Sequence, residues 1–435
     1  MKARRSRSAD ASGANRFLAF AGPDLLFGAA GLWRLDPGGP ARLTGPVNPA
    51  QPTVDNGRLF FAADGLAGGI EPWVYAQGGA QRLGDLSTSS SNPMAFTRAG
   101  AQVYFHATNT FGRELWATEG TPETTRRISD LFPGSGSGVW SGATASPLGA
   151  GMGALGDRIL FPGATSGQNY ELWSSRGAAP SLLAELTPGT NGSFPTAFTA
   201  VGEWLYFTAN GRLFRVRDGG PPELVFQPPG TTAIRAITAT GGTLFILNGP
   251  RQGSSEAPAP CTLLAILDPA FPPQPVAVVS PSGSSERPST LLAALGDTGW
   301  VALTADTPAT GQEIMLSRGV PADLGGTRIV ELAPGPWSSN PTQLIATADS
   351  LYAVGTDGPH GVELYRASLA DLGIAPPCPT DFNRDGFTDF FDYDDFVRCF
   401  EGGGCPPART ADFNRDGFAD FFDYGDFVLA FEAGC

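Results

Sequence analysis

The stretch Gly112-Arg-Glu-Leu-Trp-Ala-Thr-Glu-Gly-Thr121, followed by Ile128-Ser-Asp-Leu-Phe-Pro-Gly134, decides the fold of most of this chain. Its side chains alternate between two sides, which predicts a β-strand with Leu115 and Trp116 facing opposite layers. The Pro-Gly pair at its end predicts a turn. Eroded copies recur at Glu71-Pro-Trp73, Glu171-Leu-Trp173, Glu313-Ile-Met315 and Glu363-Leu-Tyr365. The stretch is therefore one unit of a repeat.

Eight apolar triplets, spaced 34 to 56 residues apart, mark the successive units. They are Leu25-Leu-Phe27, Leu59-Phe-Phe61, Val103-Tyr-Phe105, Ile159-Leu-Phe161, Leu205-Tyr-Phe207, Leu244-Phe-Ile246, Trp300-Val-Ala302 and Leu351-Tyr-Ala353. Short strands repeated at this period are typical of β-propellers with one blade per unit. We therefore predict an all-β propeller over residues 17–372, after a disordered segment, residues 1–16. Eight blades are favoured, and seven are possible if the first and last units share one blade that closes the ring.

The units resemble the ELWxxDGT repeat family of β-propellers over roughly Phe17 to Leu372. The third unit carries the resemblance best, although Glu119 stands where the family has Asp. The resemblance implies a propeller fold and does not imply a function. We expect Trp116 and Trp173 to pack between neighbouring blades.

The repeated carboxylates of these units are predicted to be structural. An acid at an equivalent place in several blades satisfies a turn or an adjoining strand more readily than it catalyses, because an active site has one distinctive residue set. These residues are Glu71, Glu114, Glu171, Glu313 and Glu363. A Ser-His-Asp arrangement around His106 or His360 has no support in the sequence.

A second pattern, duplicated in register, occupies residues 378–435, after a short linker at residues 373–377. Asp381-Phe-Asn-Arg-Asp-Gly-Phe-Thr-Asp-Phe-Phe-Asp392 returns 31 residues later as Asp412-Phe-Asn-Arg-Asp-Gly-Phe-Ala-Asp-Phe-Phe-Asp423. An EF-hand-type loop supplies oxygen ligands to calcium from alternating positions around a central Gly. The two copies therefore predict two Ca²⁺ ions. The predicted ligands are Asp381, Asn383, Asp385, the Phe387 carbonyl, Asp389 and Asp392 in the first loop, and Asp412, Asn414, Asp416, the Phe418 carbonyl, Asp420 and Asp423 in the second.

The residues after each loop predict a short helix. Phe396 and Phe400 are four residues apart, as are Phe427 and Phe431, so each pair shares one helical face. The tail holds 12 of the 29 Phe, and its 13 Asp and Glu against 4 Arg give it −9 of the net −14 charge. Because the eight loop Asp repel one another without a cation and the core is small, we predict that the tail folds only with calcium.

The tail resembles a dockerin in three features: Asp at the last loop position, one helix after each loop, and tandem duplication. Cys378-Pro379, the Phe-Phe-Asp-Tyr runs and Gly434-Cys435 resemble, more narrowly, the GC-type dockerin-like domains of surface-associated bacterial proteins. This resemblance implies calcium-dependent folding and docking, through a cohesin-like or cell-envelope partner, outside the cell. The chain departs from the dockerin pattern at the eighth loop position, Thr388 and Ala419, where an aliphatic residue is usual, and has Phe at the tenth and eleventh positions instead.

Four of the five Cys lie in the tail. We favour a bond between Cys378 and Cys435, because paired loop-helix units bring the ends of the tail together, and a bond between Cys399 and Cys405 across a Gly-rich segment. Bonds of Cys378 with Cys399 and of Cys405 with Cys435 are the alternative. A free Cys435 that attaches the protein to a surface is a third arrangement. Cys261 is predicted to be a small buried hydrophobe.

Composition narrows the classes of function. The chain is globular by its 41% hydrophobic and 16% charged residues, and its acidic pI of about 4.6 argues against nucleic-acid binding. No apolar run is long enough for a transmembrane helix. Arg4, Arg5 and Arg7 resemble the start of an export signal, but Pro23 and Asp24 interrupt the apolar part, so a signal peptide is not evident.

The favoured hypothesis is a monomeric, extracellular or surface-attached propeller that binds a glycan or protein and is docked by its tail. The second is an extracellular enzyme acting on polysaccharide, with its site at the channel mouth. A purely structural envelope role is the third.

Overall fold

The computed structural model describes residues 17–433 except 22–23, 29, 37–38, 66–68, 141–150, 168, 231, 251–260, 281–291, 308, 322–323, 334, 336, 348, 359–360, 375–377, 384–387, 406–410 and 414–418. The predictions for residues 1–16, for most of the linker and for Cys435 lie outside these described residues.

The described strands form seven sheets, and all pairings are antiparallel. The first sheet contains β1 (Phe17–Ala21), β2 (Asp24–Gly28), β3 (Gly31–Asp36), β4 (Gly39–Asp55), β5 (Arg58–Asp64), β6 (Ile70–Ala76) and β7 (Gly79–Arg82). The second contains β8 (Met94–Ala99), β9 (Gln102–Asn109), β10 (Gly112–Thr118) and β11 (Arg126–Arg127), and the third β12 (Gly153–Leu155), β13 (Arg158–Gly163), β14 (Glu171–Ser175) and β15 (Ser181–Ala184).

Each of the remaining sheets comes from one consecutive stretch of chain. The fourth contains β16 (Thr196–Val201), β17 (Trp204–Ala209), β18 (Arg212–Val216) and β19 (Glu223–Phe226), and the fifth β20 (Thr232–Thr240), β21 (Thr243–Pro250), β22 (Cys261–Ile266) and β23 (Gln274–Ser280). The sixth contains β24 (Leu292–Ala294), β25 (Val301–Thr307), β26 (Gly311–Ser317) and β27 (Thr327–Val330), and the seventh β28 (Gln343–Ala346), β29 (Ser350–Thr356) and β30 (Val362–Ser368).

This arrangement confirms the predicted all-β propeller and gives it seven blades rather than the favoured eight. The eight repeat units are all present, but the first two share one seven-stranded sheet. The reason is the 17-residue strand β4, whose first half pairs with β3 and whose second half pairs with β5. The shared blade therefore joins the first and second units, whereas the sequence analysis placed it between the first and the last.

The first strand of each repeat unit lies toward the axis of the propeller. These strands follow one another in the order β1, β4, β8, β12, β16, β20, β24 and β28, and β28 lies beside β1, which closes the ring. Successive units therefore contact each other at the axis, with their later strands further out.

Apolar side chains fill the gaps between sheets. Trp116 is buried among Phe60 and Val74 of the first sheet and Phe105 of its own. Trp173 packs against a buried cluster that joins the second and third sheets. Both tryptophans therefore lie between blades, as predicted.

The tail contains two helices among its described residues, α1 (Phe390–Phe400) and α2 (Phe421–Ala433). Each begins directly after the ninth position of a predicted calcium loop. Phe396, Phe400, Phe427 and Phe431 belong to one apolar cluster, so the helical faces predicted from their spacing are confirmed. No helix within the described part of the chain is both long and apolar enough to cross a membrane.

Candidate functional site

The structure describes seven of the twelve predicted calcium ligands. They are Asp381, Asn383, Asp389, Asp392, Asp412, Asp420 and Asp423. The other five, Asp385, Phe387, Asn414, Asp416 and Phe418, lie outside the described residues.

The last aspartate of each loop is buried and ties its loop together. Asp392 is fully buried, and its carboxylate accepts hydrogen bonds from the backbone N–H of Asn383 at 2.9 Å and of Asp389 at 2.9 Å. In the second copy, buried Asp423 accepts from the N–H of Asp420 at 2.8 Å. Three of the predicted ligands of the first loop are therefore brought together by one carboxylate.

The ninth-position aspartates cap the helices. Asp389 accepts a hydrogen bond from the N–H of Phe391, and Asp420 from the N–H of Phe422, both at 2.8 Å. In the first copy the N–H of Asp389 also donates to the Asp392 carboxylate, which completes a capping box. In a capping box, side chains satisfy the free N–H groups at the start of a helix. Each loop and the helix after it are thus one structural unit.

The donor chemistry fits calcium. Every predicted side-chain ligand offers carboxylate or amide oxygen, which hard cations prefer, and Oδ1 of Asp381 and Oδ1 of Asp412 are buried. Within the described residues no group of three or more His, Cys, Asp or Glu side chains is close enough together to hold a metal ion. Calcium binding by the complete loops stays a prediction.

The two copies share one aromatic core. The rings of Phe396 and Phe427 stack with centroids 3.9 Å apart and an interplanar angle of 2°. Phe382 meets Phe396 edge-on at 5.2 Å, and Phe413 meets Phe427 in the same way at 5.3 Å. The sequence analysis missed Phe382 and Phe413 as core residues, although each follows the first aspartate of its loop and the repetition of that position was a usable signal.

Four phenylalanines of the tail face solvent. Phe390 is 71% exposed, Phe391 68%, Phe421 77% and Phe422 74%. They are the tenth and eleventh residues of each loop and form the first turn of each helix. We call them the exposed Phe pairs, and they are the largest group of exposed aromatic side chains among the described residues.

Cysteine pairing follows the favoured arrangement where it is described. Cys399 is bonded to Cys405, which excludes the alternative in which Cys378 pairs with Cys399. Cys378 is also disulfide-bonded, and the partner that we predict for it, Cys435, lies outside the described residues. Cys261 is a buried free thiol, as predicted, and burial raises its pKa to about 11.

Four of the five repeated glutamates of the propeller make the structural contacts predicted for them, and the fifth, Glu363, is half-buried. Glu71, Glu114, Glu171 and Glu313 are buried. Each accepts a short hydrogen bond from a serine hydroxyl in the loop that follows its sheet; the donors are Ser91 at 2.6 Å, Ser129 at 2.5 Å, Ser193 at 2.6 Å and Ser339 at 2.7 Å. Backbone N–H groups of the same loops also donate to them. Burial raises the pKa of Glu71 and Glu313, although these hydrogen bonds oppose the rise.

His106 has an unexpected partner. It is 1% exposed, and its Nδ1 accepts a hydrogen bond from Nη1 of Arg113 at 2.9 Å. Burial, and the guanidinium beside it, lower the pKa of His106 to about 3. The described structure therefore holds His106 as a neutral acceptor, and a Ser-His-Asp arrangement has no support there; His360 lies outside the described residues.

Of the comparisons with known proteins, the one with solved structures finds matches. No family model matches the chain, and no curated protein does. A prolyl endopeptidase structure is 11% identical over 80% of this chain and 55% of its own, with a TM-score of 0.46. A GH74 xyloglucanase from Xanthomonas campestris is 14% identical over 81% of this chain and 59% of its own, with a TM-score of 0.46.

A streptogramin B lyase structure is 12% identical over 63% of this chain and 83% of its own, with a TM-score of 0.38. The chain thus spans between half and two thirds of the endopeptidase and the xyloglucanase. At these identities and TM-scores the likenesses carry no argument about function.

Proposed function

We propose that this protein is a binding propeller held outside the cell, or at its surface, by calcium-dependent docking of its tail. The partner is a folded protein of the cell envelope that offers an apolar, cohesin-like groove. The propeller presents the ligand-binding face, and the tail provides the attachment.

The exposed Phe pairs carry this proposal. A phenyl ring is a large apolar surface, and soluble proteins rarely leave such rings grouped in water unless they form an interaction site. Here the same two positions are exposed in both copies, while the rings on the other side of the helices are buried. This is the pattern of a surface that a partner covers.

The capping geometry links calcium to these rings. Asp389 is a predicted ligand and also caps the helix whose first two residues are Phe390 and Phe391. A metal ion that orders the loop orders this helical turn with it. Docking is therefore expected to require calcium.

The repeated carboxylates of the propeller do not favour the alternative of a polysaccharide-acting enzyme. Four of them are buried and already accept hydrogen bonds from serine hydroxyls and backbone amides.

The test is binding of the fluorescently labelled full chain to washed envelopes of the producing cells, with calcium or with a chelator. We expect saturable binding only with calcium, and loss of binding after protease treatment of the envelopes. Phe390→Ala with Phe391→Ala, combined with Phe421→Ala and Phe422→Ala, is expected to lower affinity at least about tenfold, because these rings are the proposed contact.

The matched control replaces Phe271 and Leu182, which are 63% and 50% exposed on the propeller, with alanine. This variant is expected to bind as the unmodified chain does. Binding that persists in chelator, or that falls equally in both variants, would overturn the proposal.

A further inference from the structure

Arg113 lies where the second and third sheets meet. It follows Gly112 at the start of β10, and its backbone bonds to the loop after β11: its N–H donates to Ser137 Oγ at 3.3 Å, and its carbonyl accepts from Val139 N–H at 3.1 Å. Tyr170, just before β14 of the third sheet, donates its hydroxyl hydrogen to the Ser137 carbonyl at 3.0 Å. Both sheets therefore bond to this loop.

The guanidinium is fixed through one nitrogen. Nη1 donates to the carbonyl of Asn92 at 2.9 Å and to Nδ1 of His106 at 2.9 Å. Asn92 precedes β8, so the side chain reaches across its blade from the third strand toward the first strand, on the axis side. Nε and Nη2 make no hydrogen bond to a described residue, and neither is sealed from solvent.

No described carboxylate forms an ion pair with this guanidinium, in contrast to other arginines of the body such as Arg58, Arg176 and Arg215. The next residue, Glu114, forms no ion pair with it, and its carboxylate accepts hydrogen bonds from a serine hydroxyl and three backbone amides. Burial lowers the pKa of Arg113, as expected where the charged form has little compensation. A partly buried cation without a counter-ion is costly to keep.

An anion is the natural partner for the two free nitrogens. The guanidinium presents paired N–H donors in a planar fork that matches the two oxygens of a carboxylate. His106 is neutral and accepts a hydrogen bond from Nη1. It therefore orients the guanidinium so that the Nε and Nη2 edge, which would bind the anion, is directed away from the imidazole.

A row of aromatic rings, from Tyr170 to Trp140, adjoins the loop to which Arg113 bonds. Tyr170 packs on Phe194 with centroids 5.7 Å apart, and Phe194 packs edge-on against Trp140 at 5.1 Å. Trp140 is partly exposed, and it follows Val139, whose N–H bonds to the Arg113 carbonyl. The backbone hydrogen bond from Val139 therefore links the strand that carries the guanidinium to the loop that carries a partly exposed ring.

We propose that Arg113 binds the carboxylate of a uronic-acid saccharide at this junction of the two sheets, with Trp140 offering an apolar face to the sugar ring. This assignment rests on the proposed binding function of the propeller and names its ligand class. A peptide fits less well, because β9 and β10 are both paired inside their sheet and offer no free strand edge, and because one arginine is not the cluster that acidic motifs require.

The experiment is a ligand-observed NMR titration of the full chain, in calcium, with D-glucuronate, D-glucose, acetate and a short peptide that ends in a free carboxylate. Glucuronate is expected to bind about tenfold more tightly than glucose or acetate, because it alone engages both the fork and the ring. Arg113→Gln is expected to reduce glucuronate binding to the level of glucose.

Arg212 provides a matched control. It also follows a glycine with positive φ at the start of a third strand, β18, but it is exposed and makes no ion pair to a described residue. Arg212→Gln is expected to leave glucuronate binding unchanged. Arg113→Lys, which keeps the charge but loses the fork, is expected to bind glucuronate more weakly than the unmodified chain and more strongly than Arg113→Gln, and thermal melts establish that each variant is folded.

Three results would overturn the assignment. Equal binding of glucuronate and glucose by the unmodified chain removes it even if Arg113→Gln does not fold. If Arg212→Gln weakens glucuronate binding as much as Arg113→Gln does, the binding is general charge attraction and not a site at Arg113. If the peptide binds more tightly than glucuronate, the ligand is not a saccharide. None of these results touches the docking of the tail, which is measured with the exposed Phe pairs, so the two proposals fail separately.

Discussion

At the residue scale, the polar groups of the propeller are informative because they are buried. His106 is neutral because its ring is buried and faces a guanidinium. The buried glutamates accept hydrogen bonds from serine hydroxyls of the loops next to them. In both arrangements the polar groups are engaged in hydrogen bonds with their neighbours. Arg113 differs from them in having donors left over.

His106 makes the stability of the propeller depend on pH. Its folded pKa of about 3 lies below the unfolded value, so the neutral ring contributes fully above about pH 6.5 and its contribution is lost as pH falls toward 3. Between pH 6.5 and 5 the unmodified chain is expected to lose about 2 kcal/mol of unfolding free energy relative to His106→Asn, whose amide oxygen can still accept from Arg113. Urea denaturation at the two pH values measures the difference. Parallel pH dependence of the two proteins would contradict it.

At the scale of elements, each blade is fastened to the loop that leaves it. The glutamate at the start of a third strand accepts from a serine in the next loop, so a strand and the entry to the following blade are held together. In the tail, loop aspartates likewise hold the helices, because they accept hydrogen bonds from backbone N–H groups of the first helical turn. Local hydrogen bonds of this kind set the positions of loops that carry few apolar contacts.

Removing one such serine should lower the free energy of unfolding by a measurable amount. Ser193→Ala leaves the buried Glu171 carboxylate without its shortest hydrogen bond, so a loss of about 1–3 kcal/mol of unfolding free energy is expected. Chemical denaturation measures this loss. Ser135→Ala, the same change at an exposed side chain in the loop after β11, is the control and should be within about 0.5 kcal/mol of the unmodified chain. Similar losses in both variants would contradict the role assigned to Ser193.

At the scale of the whole molecule, the chain combines a large propeller with a small acidic tail, and the two have different sources of stability. The propeller has buried clusters between its sheets. Among its described residues the tail has one small aromatic cluster and a disulfide between Cys399 and Cys405. A core of that size is marginal, so a bound metal is expected to matter far more to the tail than to the propeller.

Calorimetric unfolding of the full chain tests this difference. With calcium at about 100 times its dissociation constant, the tail should gain about 2.7 kcal/mol per ion, so chelation is expected to shift or remove a tail transition and leave that of the propeller in place. Asp392→Asn with Asp423→Asn should reproduce the chelated behaviour, because these buried carboxylates close both loops. A thermogram that chelation does not change would contradict calcium-dependent folding of the tail.

The sequence by itself determined what depends on local periodicity. Alternation placed Trp116 and Trp173 between blades, four-residue spacing placed Phe396 and Phe427 on helical faces, and the equivalence of the repeated glutamates identified them as structural. These properties are readable because a strand or helix imposes its own period on the residues that it buries.

Only the tertiary structure decided the features that join distant residues. The run of β4 through two repeat units, the seven sheets that result and the pairing of His106 with Arg113 leave no local pattern. Each depends on which segments meet when the chain closes on itself, and the free energy of such contacts comes from packing and burial across the fold, which the order of neighbouring residues does not encode.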